Sequence, residues 1–183
     1  MKILALSGSL RVASINGALL RAAARLAPQE IDVALSQRIG TLPLFNPDLE
    51  SQPPQELVAF RNEVAAADAL LIASPEYAHG VTGAMKNALD WLVSFEPFVG
   101  KPVAVLNASP RAHHADDALR ETLKTMSAVI VEEASVTLPL VGAGLSENEM
   151  VESEAIARAV RSVLDTLYRF VSLQRSVLVS PSR

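Results

Sequence analysis

"LLIASPEYAHGVTGAMKNALDWL", residues 70–92, decides how this chain is read. With Ala69 before it, the stretch opens as a short, fully apolar run, the pattern of a strand buried on both faces. Its last part spaces Met85, Ala88, Leu89 and Leu92 at helical intervals. Between them stands Ser-Pro-Glu-Tyr-Ala-His-Gly. Proline has no N–H to give to a sheet ladder, so the strand must stop at Ser74-Pro75. A loop that only reverses the chain needs no carboxylate, phenol and imidazole before a glycine. The stretch therefore reads as strand, ligand-facing loop and helix.

The same unit recurs along the chain. Apolar runs at Ile3 to Leu6, Ile31 to Leu35, Ala69 to Ala73, Val103 to Asn107 and Val129 to Thr137 predict five strands. Helical spacing separates or follows them: Leu57, Phe60, Val64 and Ala67; Ala115, Ala118, Leu119, Thr122, Leu123 and Met126; Ala155 to Leu167. Alternating β and α segments imply one parallel sheet covered on both faces, an α/β single domain over residues 1–172 with a C-terminal tail over 173–183. The fourth run ends "VLNASPRAHH", echoing "LIASPEYAH". Both strands stop at Ala-Ser-Pro and release their loops on one edge. In open α/β sheets the carboxyl edge is where ligands bind.

Composition narrows the chemistry. The 183 residues hold no cysteine, which excludes disulfides, thiol catalysis and thiolate metal sites. Half are hydrophobic and 4% aromatic, so the core is aliphatic. A net charge of -4 has the wrong sign for a general nucleic-acid binder. "MKILALSGSL" is too short an apolar run for a secretory signal, and no run approaches the length of a spanning helix. A soluble, cytoplasmic protein with neither nucleic-acid nor membrane partners is expected.

The first strand feeds "SGSLRVASIN", Ser7 to Asn16. Three hydroxyls (Ser7, Ser9, Ser14), the guanidinium of Arg11 and a helix start with Asn16 as candidate N-cap suit a phosphate-sized anion. The loop lacks both G-x-G-x-x-G and G-x-x-x-x-G-K-[ST], and the second strand runs into Ser36-Gln37-Arg38 with no acidic residue for a ribose. A single terminal phosphate fits this loop better than a dinucleotide or a triphosphate.

Together, "GSLRVASIN" (Gly8 to Asn16) and "PEYAHGVTGAMKNALDWL" (Pro75 to Leu92) resemble the NADPH-dependent FMN reductase family, the flavodoxin-like group that includes quinone and chromate reductases. The resemblance implies a flavodoxin-like, doubly wound five-stranded sheet, for which the paired Ala-Ser-Pro endings and right-handed crossovers give the order 2-1-3-4-5. It implies that Ser9, Arg11, Ser14, Ile15 and Asn16 hold the FMN phosphate. It places Pro75, Glu76, Tyr77, Ala78, His79 and Gly80 beside the isoalloxazine ring, with Ser109 on the third loop. Two departures stand out. Many members have asparagine where this chain has Ala78, and many have a glycine-rich segment where it reads Ser109 to His114.

The function so implied is an FMN-dependent oxidoreductase. It would take hydride from NADPH or NADH and pass electrons to a quinone, free flavin, azo compound or chromate-like oxyanion with ping-pong kinetics. A homodimer or homotetramer would place flavin sites near the subunit contact. Because the flavin carries the chemistry, no catalytic side chain is assigned. Two alternatives differ in class: a flavodoxin-like electron carrier, which usually shields its ring with aromatic residues, and a cofactor-free binding protein. Adjacent His113 and His114 lack a third ligand, so no metal site is expected. Lys86, Asn87 and Asp90 read as solvated surface, with Lys86 and Asp90 spaced as an i,i+4 pair.

Overall fold

A computed structural model describes residues 1–140, 142 and 144–179. Strand β1 (Lys2–Ser7) leads into helix α1 (Ile15–Leu26), and β2 (Asp32–Leu35) leads through a long loop into α2 (Gln55–Ala66). After β3 (Ala69–Ala73) come a hairpin, β4 (Glu76–Tyr77) and β5 (Gly80–Val81), and then α3 (Gly83–Asp90). β6 (Pro102–Asn107), α4 (His113–Thr125), β7 (Val129–Ile130), β8 (Val136–Thr137), α5 (Glu147–Glu152) and α6 (Glu154–Val179) complete the order.

The main sheet is parallel and runs β2-β1-β3-β6-β7, with β8 making a second short pairing to β6. This is the flavodoxin-like order 2-1-3-4-5. Alternate strand residues supply the two cores. Ile3, Ala5, Leu71, Ala73, Ala104 and Leu106 pack with α1 and α6, while Leu4, Leu6, Leu70, Ile72, Val103 and Val105 pack with α2, α3 and α4. Burying each large aliphatic side chain contributes about 1.5–3 kcal/mol, which explains why the buried stretches Ile3–Leu6, Ala69–Ala73 and Pro102–Leu106 contain no polar residue.

The fifth strand departs from the sequence expectation. It is not continuous over 129–137; a 3-10 turn at Glu132–Ala134 separates β7 from β8. Ser135 takes over there: its hydroxyl accepts from the Val105 N–H at 3.0 Å and donates to the Val131 carbonyl at 2.9 Å. A side chain thus satisfies the ladder donor that the interrupted strand leaves behind. Residues 173–179, expected to begin a tail, continue α6, and 180–183 lie outside the described residues.

Candidate active site

The registers Ser7↔Ala73 and Ala73↔Leu106 bring the loops after β1, β3 and β6 out side by side at the carboxyl edge. Gly8 sits where the first two loops touch. Its N–H donates to the Ala73 carbonyl at 2.9 Å, and a Cβ on it would lie 2.1 Å from Ser74 Oγ and 2.6 Å from Ser74 Cβ. No side chain fits there. Thr82 then pins the loops together: its hydroxyl donates to the Gly8 carbonyl at 2.7 Å and accepts from the Met85 N–H at 3.3 Å, capping α3.

In the first loop the N-cap is Ser14, not Asn16; Ser14 Oγ accepts from the Gly17 N–H at 3.2 Å. Asn16 instead lies in the first turn of α1. It is 3% exposed, and its Oδ1 has no hydrogen-bond partner among the described residues. An orphaned buried amide oxygen costs about 1–3 kcal/mol unless a ligand satisfies it. The first turn of α1 carries no acidic residue, so the positive end of its dipole is uncompensated. Arg11 has no ion-pair partner among the described residues. Arg21, by contrast, donates to Glu147 at 2.8 Å, and this bond is the main cause holding the Glu147 carboxyl below the usual carboxylate range.

Two adjoining cavities open from these loops. The larger, about 700 Å³, is walled by Ser9, Arg11, Ser14, Ile15, Asn16 and Arg21, by Pro75 and Tyr77, and by Gly142 to Glu147 where described. The second, about 390 Å³, shares Ile15, Asn16, Pro75 and Gly142 and adds Glu76, Asn107, Ser109 and Arg111. Cavities of this size suit a cofactor or drug-sized ligand. Hydroxyls, a guanidinium and a helix start at one end form a donor set for a phosphate monoester. The orphaned amide of Asn16 offers a further polar contact.

Structure thus brings Ser9, Arg11, Ser14, Ile15, Asn16, Pro75, Glu76, Tyr77 and Ser109 to one cleft. Ala78, His79 and Gly80 do not wall either cavity; they lie at the hairpin tip, where Tyr77 pairs with Gly80. Ala78 and His79 both have positive φ, 50° and 58°, as a two-residue type I′ hairpin turn demands. Glu76 has a second task. Its Oε2 accepts from the Ala115 N–H at 2.9 Å, supplying the cap that Ala112 cannot give to α4, and its Oε1 lies 3.0 Å from His79 Nδ1. The Ala115 bond is the largest cause holding the Glu76 carboxyl below its usual range.

Sequence reasoning missed the wall formed by Arg21 and the segment around Gly142 and Gly144. The available signals were the two nearby glycines, with φ of 95° and 61°, and the Ser146–Glu149 capping box that starts α5. Asn87, expected as solvated surface, is half-buried. Its amide accepts from the Phe45 N–H at 2.8 Å and donates to the Pro43 carbonyl at 3.0 Å, holding the long loop after β2 against α3. Lys86 and Asp90 do form the expected exposed pair, at 2.5 Å.

The family model described as NADPH-dependent FMN reductase matches residues 1–142. The chain belongs to this family. An NAD(P)H-dependent FMN reductase of Pseudomonas aeruginosa is 43% identical over 112 residues, 60% of this chain and 60% of that one. The chain thus spans less than two thirds of that relative's length. A 2-hydroxy-1,4-benzoquinone reductase of Burkholderia is 31% identical over 181 residues, 96% of this chain and 98% of that one. Among solved structures, the flavoenzyme NAD(P)H:(acceptor) oxidoreductase FerB from Paracoccus denitrificans superposes with a TM-score of 0.72 at 25% identity, covering 92% of this chain and 97% of its own. Among the described residues no helix is long and apolar enough to cross a membrane.

Proposed function

We propose that the chain is an FMN-dependent NAD(P)H oxidoreductase acting on small acceptors such as quinones, its working domain running past residue 172 to include the whole of α6. The observation that carries this reading is the phosphate-suited end of the cleft, where the start of α1 meets Arg11, which has no ion-pair partner among the described residues; the orphaned Asn16 Oδ1, an acceptor, suits a hydroxyl or N–H donor of the same ligand rather than its phosphate. When bound, FMN accepts hydride from the reduced nicotinamide and delivers the electrons to the acceptor.

The chain's own residues bind and orient. Ser9, Arg11, Ser14, Ile15 and Asn16 hold the phosphate; Pro75, Glu76 and Tyr77 form the wall beside the ring; Ser109 closes the third side, its N–H fixed to Asn107 Oδ1 at 2.9 Å. Ala78, His79 and Gly80 shape the hairpin that sets this wall. Tyr77 is 58% exposed, so no aromatic shield closes the cleft, in keeping with an enzyme that admits reactants in turn. A homodimer or homotetramer agrees with the exposed apolar Leu10, Val12 and Leu44 on the first loop and on the loop after β2. Dependence on a nicotinamide coenzyme agrees with a cytoplasmic setting.

Titration of the cofactor-free protein with FMN and with riboflavin tests the phosphate cradle. Arg11→Ala removes one charged hydrogen bond, about 1.5–3 kcal/mol, and should weaken FMN by roughly ten- to a hundred-fold while leaving riboflavin nearly unaffected. Equal losses for the two flavins would remove the phosphate role from this loop.

A further inference from the structure

All three histidines of the chain meet outside the cleft. The His79 ring, on the hairpin tip, stands 4.7 Å from the His114 ring in an edge contact, and His114 lies 4.1 Å from His113. Adjacent residues on a helix ordinarily diverge, yet here the first turn of α4 turns the His114 ring to the hairpin and keeps the His113 ring against it. His79 is held there by a strained left-handed backbone and by Glu76, although its side chain is 77% exposed. Backbone strain of this kind concentrates at functional positions.

The charge pattern favours an anion. Glu76 faces His79 and His114, but both its oxygens are engaged, by His79 and by the Ala115 N–H. Asp117 lies one turn further along α4, and Asp116 is paired with Arg120. On the other side Arg111 lines the second cavity, two residues before His113. His79 and His114 thus face one committed carboxylate, with the His113 ring against His114 and Arg111 on the wall of the adjoining cavity. Among the described residues no group of His, Cys, Asp or Glu is arranged to hold a metal ion.

The position of the cluster identifies the ligand. Neither cavity is walled by an imidazole, so a small acceptor lying on the flavin would not reach the cluster. A dinucleotide is long, and its nucleoside end must leave the cleft once its nicotinamide is seated. We propose that His79, His113 and His114, with Arg111, form a rim subsite for the 2′-phosphate of NADPH and so set the preference for NADPH over NADH. This rests on the NAD(P)H reading above. Imidazole N–H groups and a guanidinium donate hydrogen bonds to phosphate.

The test measures binding of adenosine 2′,5′-bisphosphate against adenosine 5′-monophosphate to the FMN-loaded protein by calorimetry, alongside kcat/KM for NADPH and NADH. The bisphosphate should bind about tenfold more tightly, the scale of one charged hydrogen bond. His114→Ala should remove most of the advantage and lower the NADPH-to-NADH ratio of kcat/KM in step. His114→Arg, which supplies a cation, should hold the advantage. Equal affinity for the two nucleotides, or an advantage indifferent to both substitutions, overturns the subsite. A nucleotide advantage without oxidation of either coenzyme would keep the subsite and sink the reductase reading; oxidation of both without the advantage would do the reverse.

Discussion

Ala78 carries a backbone conformation that costs an L-residue with a Cβ about 1–2 kcal/mol, and it does so at φ 50° next to His79 at 58°. A type I′ turn would ordinarily place asparagine or glycine there. Asparagine at this position would thus have a backbone reason besides any contact its amide makes. Ala78→Gly should raise stability by about 0.5–1 kcal/mol, after allowing for the extra freedom glycine has in the unfolded chain. Denaturant unfolding of the two proteins checks this, and a loss of stability would show that the turn is not strained. Gly8 is the opposite case, a residue fixed by space, since the Ser74 side chain occupies the place where its Cβ would stand.

At the scale of elements, the hairpin and α4 are joined through one carboxylate. Folding holds the Glu76 carboxyl below the usual carboxylate range, chiefly through the Ala115 N–H, so its contribution is complete above that range and is lost as pH falls through the lowered value. Glu76→Gln should lower Tm at neutral pH, and the gap between the two proteins should close in acid. A gap that is constant with pH would mean that the charge is not what caps α4. Such long-range caps are invisible in a sequence, because Glu76 and Ala115 are 39 residues apart. The elements themselves were legible where apolar period and proline agree, as at Ala69–Ala73 and at Ser74-Pro75. The break between β7 and β8 was not. Val129, Ile130, Val131 and Val136 favour a strand, and only tertiary pairing lets Ser135 Oγ replace a backbone acceptor for Val105.

Across the whole molecule, the site is the meeting of three loops at one sheet edge, and the sequence announced two of them by motif. Ser9 to Asn16 and Pro75 to Tyr77 stood out because hydroxyls, a guanidinium and a carboxylate are costly where only a turn is needed. The wall formed by Gly142 and by Gly144 to Glu147 and the assembly of His79 with His114 depend on how distant segments pack, which local pattern does not encode. An open cleft with Tyr77 exposed and no aromatic cover has one kinetic consequence: nicotinamide and acceptor should occupy the same face in turn. Close stacking of the reacting groups removes much of the barrier, and it leaves no room for both reactants at once. Steady-state rates of the FMN-loaded protein, measured over a grid of NADPH and quinone concentrations, test this account most directly. The expected result is NADPH oxidation that requires FMN, with parallel double-reciprocal lines and competitive inhibition by excess quinone against NADPH. No FMN-dependent oxidation would contradict the reductase assignment, and converging lines with a complex holding oxidised coenzyme and quinone together would contradict the shared face.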